Sequence, residues 1–390
     1  MTILAIVFWL SVLLIFHTYL LFPWILYFLE RGRKPAWQAW TLADELPRLS
    51  ILMSLYNEEA VIMEKIRNIY RSGYPLDRIE VLAGSDASDD GTEVILQQLC
   101  TEYPSLRLFR FQHRQGKANV LRMIIPEAKG DILVFTDAQV FFGEDSLFHL
   151  VKYFRDPDVA VAGARLVNSN LSTTGIAYQE NTFINQEMKI KYREGALWGT
   201  MMGAYGACFA IRKEDMAEIP EGHPAEDFFI SVYPLLRKRK AILSWEAVCQ
   251  ENVPGGLTTE YRRRVRISSG NVTNMLLFSR LLWPPHRPEA FCFLSHKVLR
   301  WMGPLFLILA LLANIFLARI PFYRVTLYLQ LIIMIIPFID LLLRKFHLHI
   351  VILRFVTHFY WMNIALVTGF IKHLKGEKSN VWQPTRRVQG

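Results

Sequence analysis

Two textures alternate along the chain. From Ile3 to Leu29 nearly every position is apolar and none carries a full charge, and the same texture returns at about Trp301 to Ala318, Val325 to Leu343 and Ile350 to Ile371. Between these ends the apolar positions come in short runs and helical stripes. LSILMSL, at Leu49 to Leu55, reads as a buried strand, and Glu58 to Arg71 carries Val61, Ile62, Ile66 and Ile69 at helical spacing. Further strands are predicted at Ile79 to Gly84, Leu106 to Phe111 and Asp131 to Thr136, with helices at Thr92 to Tyr103 and Lys117 to Ile125 between them. Such a βαβ series implies a mostly parallel, Rossmann-like sheet covered by helices. Beyond Asp145 the rhythm loosens: strands are expected at Val159 to Leu166 and Ala207 to Ile211, and helices at Ile176 to Glu194 and Asp227 to Arg237.

The first apolar run is long enough to span a bilayer and lacks the basic start of a cleaved signal. Arg31, Arg33 and Lys34 follow it, which by the positive-inside rule puts the next domain in the cytosol. The predicted organisation is a transmembrane helix over 1–30, a cytosolic α/β domain over 31–271 and interfacial amphipathic helices over 272–299. Transmembrane segments over 300–371 and a basic cytosolic tail over 372–390 complete it. The last apolar segment contains Arg354, His358 and Asn363, and the tail carries Lys372, Lys375, Lys378, Arg386 and Arg387. That segment is therefore expected to pack or dip into the bilayer without crossing, leaving Gly390 on the cytosolic side. The expected location is a multi-pass integral membrane protein, of a bacterial inner membrane.

Composition narrows this picture. In 390 residues, 52% hydrophobic, the net charge of +9 comes without any nucleic-acid-binding motif, and much of the excess lies beside apolar segments. Anionic headgroups and a diphosphate-bearing substrate explain it better than nucleic acid. Cys100, Cys208, Cys249 and Cys292 stand far apart, so neither a zinc site nor a disulfide framework is indicated. No G-x-G-x-x-G or P-loop sequence is present.

In a parallel α/β sheet, ligands bind beyond the carboxyl ends of the strands, and those positions here are polar. Tyr56, Asn57 and Glu58 follow the first strand, SDASDDGT the second, and Asp137, Ala138 and Gln139 the fourth. Asp137 either holds Mg²⁺ or Mn²⁺ against phosphates or caps a turn. Asp86, Asp89 and Asp90 either bind a nucleoside or cap the next helix. Glu226 and Asp227 precede an apolar helix, where they either complement its dipole or supply a base. Arg262, Arg263, Arg264 and Arg266 form either a lipid-facing basic face or a clamp for a leaving diphosphate.

In this order the motifs resemble those of the family 2 glycosyltransferases, GT-A-fold enzymes whose membrane members include cellulose, chitin and hyaluronan synthases. SLYNEEAVI from Ser54, GSDASDDGT from Gly84, RQGKANVL from Arg114 and AEDF from Ala225 carry the likeness. The resemblance implies that Ser54, Tyr56, Glu58, Asp86 and Lys117 bind the nucleotide sugar. It makes Asp137 the metal ligand, Asp227 the base with Glu226 beside it, and Arg263, Arg264 and Arg266 the diphosphate clamp. It also implies an inverting transfer from a nucleotide diphosphate donor, expected to be a UDP-sugar, to a membrane-associated lipid or glycan acceptor. Two departures stand out. Gln139 replaces the second acid of D-x-D, and EYRRRVR from Glu260 lacks the Gln and Trp of the processive QxxRW element. The run is closer to relatives that carry a SHKxxRW element such as Ser295 to Trp301. A processive synthase that translocates its polymer, and an inactive transferase-like scaffold, are the two alternative expectations.

Overall fold

The computed structural model describes residues 1–376 except 34, 36, 169–175, 252–256, 347 and 349, and of 168, 176–180 and 257–260 the backbone only. The basic tail beyond 376, with Lys378, Arg386, Arg387 and Gly390, lies outside the described residues. Helix α1 (Thr2–Glu30) contains a single π-turn at His17–Leu21. Eight strands follow: β1 (Leu49–Leu55), β2 (Ile79–Asp86), β3 (Leu106–Phe111), β4 (Ile132–Thr136), β5 (Val140–Phe142), β6 (Val159–Asn168), β7 (Cys208–Arg212) and β8 (Lys240–Glu251). Interleaved with them are α2 (Ile62–Tyr70), α3 (Thr92–Glu102), α4 (Lys117–Ile124), α5 (Ser146–Val151), α6 (Ile176–Trp198) and α7 (Glu226–Leu236). After the sheet come α8 (Leu257–Leu277), α9 (Pro288–Trp301), α10 (Gly303–Leu317), α11 (Pro321–Lys345) and α12 (Val351–Leu374).

All eight strands form one sheet in the order β3-β2-β1-β4-β7-β6-β8-β5. The first four are parallel, as the βαβ rhythm predicts. The second half is mixed: β7 runs antiparallel to β4 and β6, and β5 antiparallel to β8. β5 and β8 were not anticipated. β8 is held by parallel pairing with β6, far away in sequence, with a break in register between Ala164 and Arg165. Local periodicity does not report such a partner. β1 and β4 are buried along nearly their whole length, which is why LSILMSL and ILVFT read as unbroken apolar runs.

Two boundaries differ from expectation for physical reasons. Residues 58–61 form a turn, and α2 starts only at Ile62, because the backbone amides of Glu58 and Glu59 are engaged by Thr92 and Asp90 across the strand ends. The segment expected as a separate interfacial helix from 272 is the end of continuous α8.

Among the described residues, α1, α11 and α12 are long and apolar enough to cross a membrane, and the pair α9 and α10, bent by 62°, makes a fourth candidate if it counts as one span. Trp24, Phe28, Phe316, Ile332 and Phe338 are exposed on these helices, a coat of large apolar side chains that water disfavours. α1 and α10 pack through a small core of Phe8, Ala310, Ala313 and Leu317. α12 lies against α8 so closely that a Cβ on Gly369 would meet the Ser268 Cβ at 2.4 Å. Arg354, costly in lipid, lies 3.8 Å from Asp340 of α11, which also binds Arg344.

Candidate active site

The carboxyl ends of β1, β2 and β4 open into a cleft of about 2150 Å³, walled by α6, α7 and α8. The residues that the resemblance assigns to the site all line it: Ser54, Tyr56, Glu58, Asp86, Lys117, Asp137, Glu226, Asp227, Arg263, Arg264 and Arg266; Asn57, Asp89 and Asp90, also singled out from the sequence, are not among the lining residues.

At the end formed by β1 and β2, the acidic turn is laced to the neighbouring loop. Asn57 and Asp89 exchange two hydrogen bonds, Asn57 Nδ2 to Asp89 Oδ1 at 2.5 Å and Asp89 N to Asn57 Oδ1 at 3.1 Å. In the two loops so laced, Asn57 and Ala87 take φ of 55° and 56°, a conformation that costs side-chain-bearing residues about 1 kcal/mol or more each. Asp90 accepts from Thr92 N at 3.0 Å and from Glu59 N at 3.1 Å, so it ties the start of α3 to the loop after β1. Asp86, 2% exposed, accepts from Gln115 N at 2.5 Å, Gly116 N at 3.0 Å and Arg114 Nε at 3.2 Å. Its carboxylate therefore anchors the loop that enters α4. Gly116, with φ of 82°, supplies the left-handed turn. Arg114 in turn lies 3.3 Å from the Tyr56 ring centroid.

Deeper in the cleft, charges alternate. Lys117 Nζ is 2.7 Å from Asp137 Oδ1 and 3.4 Å from Glu226 Oε1. Burial works to lower the Lys117 pKa, but the carboxylates of Asp137, Glu226 and Asp227 outweigh it and raise it. Arg266 faces the same acids; burial, reinforced by Arg263, lowers its pKa. Gln139, at the place of a second acid, donates to both carboxylate oxygens of Glu58 at 3.0 Å. An acid at 139 would meet Glu58 as a like charge.

Asp227 opens α7, where the helix dipole favours an anion, and one of its oxygens accepts from Phe228 N at 2.8 Å. The other lies against Gly206: a Cβ there would stand 2.4 Å from Oδ2. Sequence reading missed this loop, Met202 to Ala207, which lines the cleft; its only signal was the paired glycines of MMGAYGA. Tyr205 in the loop accepts from Arg263 at 3.1 Å, and Arg264 lies over Phe183 at 5.0 Å. Also missed was a buried network that ties the loop to α6 and α9. Glu194 accepts from Met202 N at 3.0 Å and contacts His296 at 2.7 Å. Glu187 binds Lys297 at 2.7 Å and Arg300 at 2.6 Å. Burial alone would raise the Glu187 carboxyl, but His296, Lys297 and Arg300 hold it well below the ordinary range.

Among the described residues no group of three or more metal-ligating side chains exists. Asp137, 40% exposed in the cleft, nonetheless suits Mg²⁺ or Mn²⁺, since such ions are bound through one or two carboxylates with substrate phosphates completing the shell.

A parallel half-sheet, an acidic nucleoside-type turn and a carboxylate at the end of β4 define the GT-A glycosyltransferase fold. The mannosyltransferase PcManGT from Pyrobaculum calidifontis, solved with GDP-Man and Mn²⁺, shares that fold with a TM-score of 0.74 at 23% identity, over 96% of this chain and 99% of that one. Residues 50–219 match the family described as Glycosyl transferase family 2. It is 34% identical over 131 residues to a beta-monoglucosyldiacylglycerol synthase of Trichormus variabilis, covering 33% of this chain but only 28% of the relative. A poly-beta-1,6-N-acetyl-D-glucosamine synthase of Staphylococcus aureus is 25% identical over 58% of this chain and 55% of its own length.

Proposed function

We propose that the chain is a membrane-embedded, inverting glycosyltransferase. It moves a sugar from a nucleotide diphosphate donor, with UDP the expected nucleotide, to a hydroxyl of a membrane-associated lipid or glycan, on the cytosolic face. The observation that carries this reading is one cleft in which Asp227, at a helix N-terminus, shares Lys117 and Arg266 as cationic neighbours with Asp137.

In the proposed step the acceptor hydroxyl gives its proton to Asp227 as its oxygen attacks the anomeric carbon from the side opposite the leaving group. The bond from that carbon to the diphosphate oxygen breaks, and the electron pair leaves with the diphosphate. Lys117, Arg263, Arg264 and Arg266 neutralise the departing charge, in a site that needs little reorganisation because Lys117 is already held by Asp137 and Glu226, Arg263 by Tyr205 and Arg264 over Phe183. Glu226, bound to Lys117, keeps that lysine placed, and Ser54, Tyr56, Glu58 and Asp86 shape the nucleoside end. Mg²⁺ or Mn²⁺, held by Asp137 and the donor's phosphates, would supply further charge neutralisation. The close packing of α12 on α8 supports a last segment docked on the catalytic domain rather than standing alone in lipid.

A donor screen tests this. The full chain in nanodiscs, given a panel of nucleotide sugars, should release nucleoside diphosphate from one donor and pass its sugar to a lipid or glycan. Absence of release and transfer with every donor would leave the scaffold reading in its place.

A further inference from the structure

The cleft does not end at Asp227. Beyond it, the lining continues through Tyr19, Leu20 and Trp24 of α1 and Phe359 and Met362 of α12, both candidate membrane spans. Trp24 is 60% exposed. The cleft thus runs from the nucleotide end to the apolar helices, a path suited to an acyl or prenyl chain.

Where the polar and apolar parts meet stands Lys191 of α6. It is 5% exposed and lines the cleft. Among the described residues its ammonium has no hydrogen-bond or ion-pair partner; it faces the Tyr205 ring, 5.5 Å from the centroid. Its neighbours are saturated by comparison, since Glu187 takes both Lys297 and Arg300, and His296 bridges Glu187 and Glu194. Burial and then the like charge of Lys297 push its pKa down to about 8. A buried cation left without an anion is costly, and a ligand that supplies one removes the cost.

We infer, on the transferase reading above, that Lys191 receives a phosphate of the acceptor, and that the acceptor is a lipid carrying that phosphate near the hydroxyl to be glycosylated. The surrounding charges separate this site from the donor's. Lys191 feels Lys297, Glu187, Asp227 and Glu194, whereas Lys117 and Arg266 feel Asp137 and Glu226. Asp227 is common to both sets, so the base lies between a donor-side and a lipid-side cation.

The test titrates the full-length protein in detergent with dihexanoyl phosphatidylglycerol, which has both a phosphate and free hydroxyls, and with dihexanoylglycerol, which lacks the phosphate. Binding is followed by native mass spectrometry, with nucleoside diphosphate titrated in parallel. The wild type should prefer the phosphate-bearing lipid, and Lys191→Gln should weaken that binding by about 10- to 100-fold, the worth of a charge-assisted hydrogen bond. Binding of dihexanoylglycerol and of nucleotide should stay unchanged, and Lys191→Arg should restore the preference. No preference in the wild type, no binding of either lipid, or a Lys191→Gln loss that falls on the nucleotide would overturn the inference. Binding needs no turnover, so a protein that binds the lipid but transfers no sugar would refute the transferase reading and leave the lipid site standing.

Discussion

The two halves of the cleft, proposed for donor and for acceptor, are built differently. At the donor half, the ends of β1, β2 and β4 bring short-range motifs together, and their polar groups satisfy one another: Asp86 holds the loop into α4, Asn57 holds Asp89, and Gln139 holds Glu58. At the proposed acceptor half, Asp227, Lys191 and Tyr205 come from three separate segments, and the fit depends on close approaches such as Gly206 under Asp227. The half proposed for the donor is laced together without any ligand, whereas the half proposed for the acceptor contains Lys191, a buried cation without an anion among the described residues.

The largest expected effect separates the halves directly. Asp227→Asn keeps the shape of the base without its proton affinity, so transfer should fall by about 10²- to 10⁴-fold while nucleotide binding survives. Single-turnover rates and a nucleotide titration check this; retention of more than about a tenth of the rate would move the base to Glu226.

From the donor side, Asp137→Ala should abolish the metal-dependent part of nucleotide binding, whereas Gln139→Ala should leave most of it, because Gln139 is engaged with Glu58. Calorimetry with and without Mn²⁺ distinguishes them. Equal losses would put Gln139 on the metal.

On the acceptor side, Glu187→Ala leaves Lys297 and Arg300 buried without their carboxylate, and stability should drop by about 3–5 kcal/mol. Because the Glu187 pKa is depressed, its contribution is complete above the ordinary value of 4.5 and is lost as pH falls through the lowered one. Thermal melts at neutral pH read the loss, and an unchanged melting temperature would mean the network carries no net stability.

Gly206→Ala should then displace the Asp227 carboxylate, which a Cβ would overlap at 2.4 Å, and cost on the order of 10²-fold in kcat with little change in nucleotide affinity. Wild-type kcat would show that the loop yields freely. The smallest effect on activity belongs to the half proposed for the donor: Asp90→Ala removes the bonds from Thr92 N and Glu59 N in a turn held by several others, so about 1–3 kcal/mol of stability should go, with activity nearly intact. A large activity loss would mean that Asp90 touches the nucleoside after all.

The same contrast marks what the amino-acid order determined by itself. Buried strands such as Leu49 to Leu55 leave a continuous apolar run, and in a parallel sheet the residues just after such runs are cleft residues, so Tyr56, Asp86 and Asp137 were legible without coordinates. Spans, too, follow from length and hydropathy. Tertiary structure alone decided the rest. The pairing of β8 with β6, the seat of Gly206 beneath Asp227 and the saturation of Glu187 by α9 all join segments far apart in the chain, where no local period records the partner. Lys191 shows the limit most sharply. In sequence it is one more lysine on a charged helix; only packing against Tyr205, with Glu187 and Glu194 already engaged by α9, turns it into a buried cation that lacks an anion.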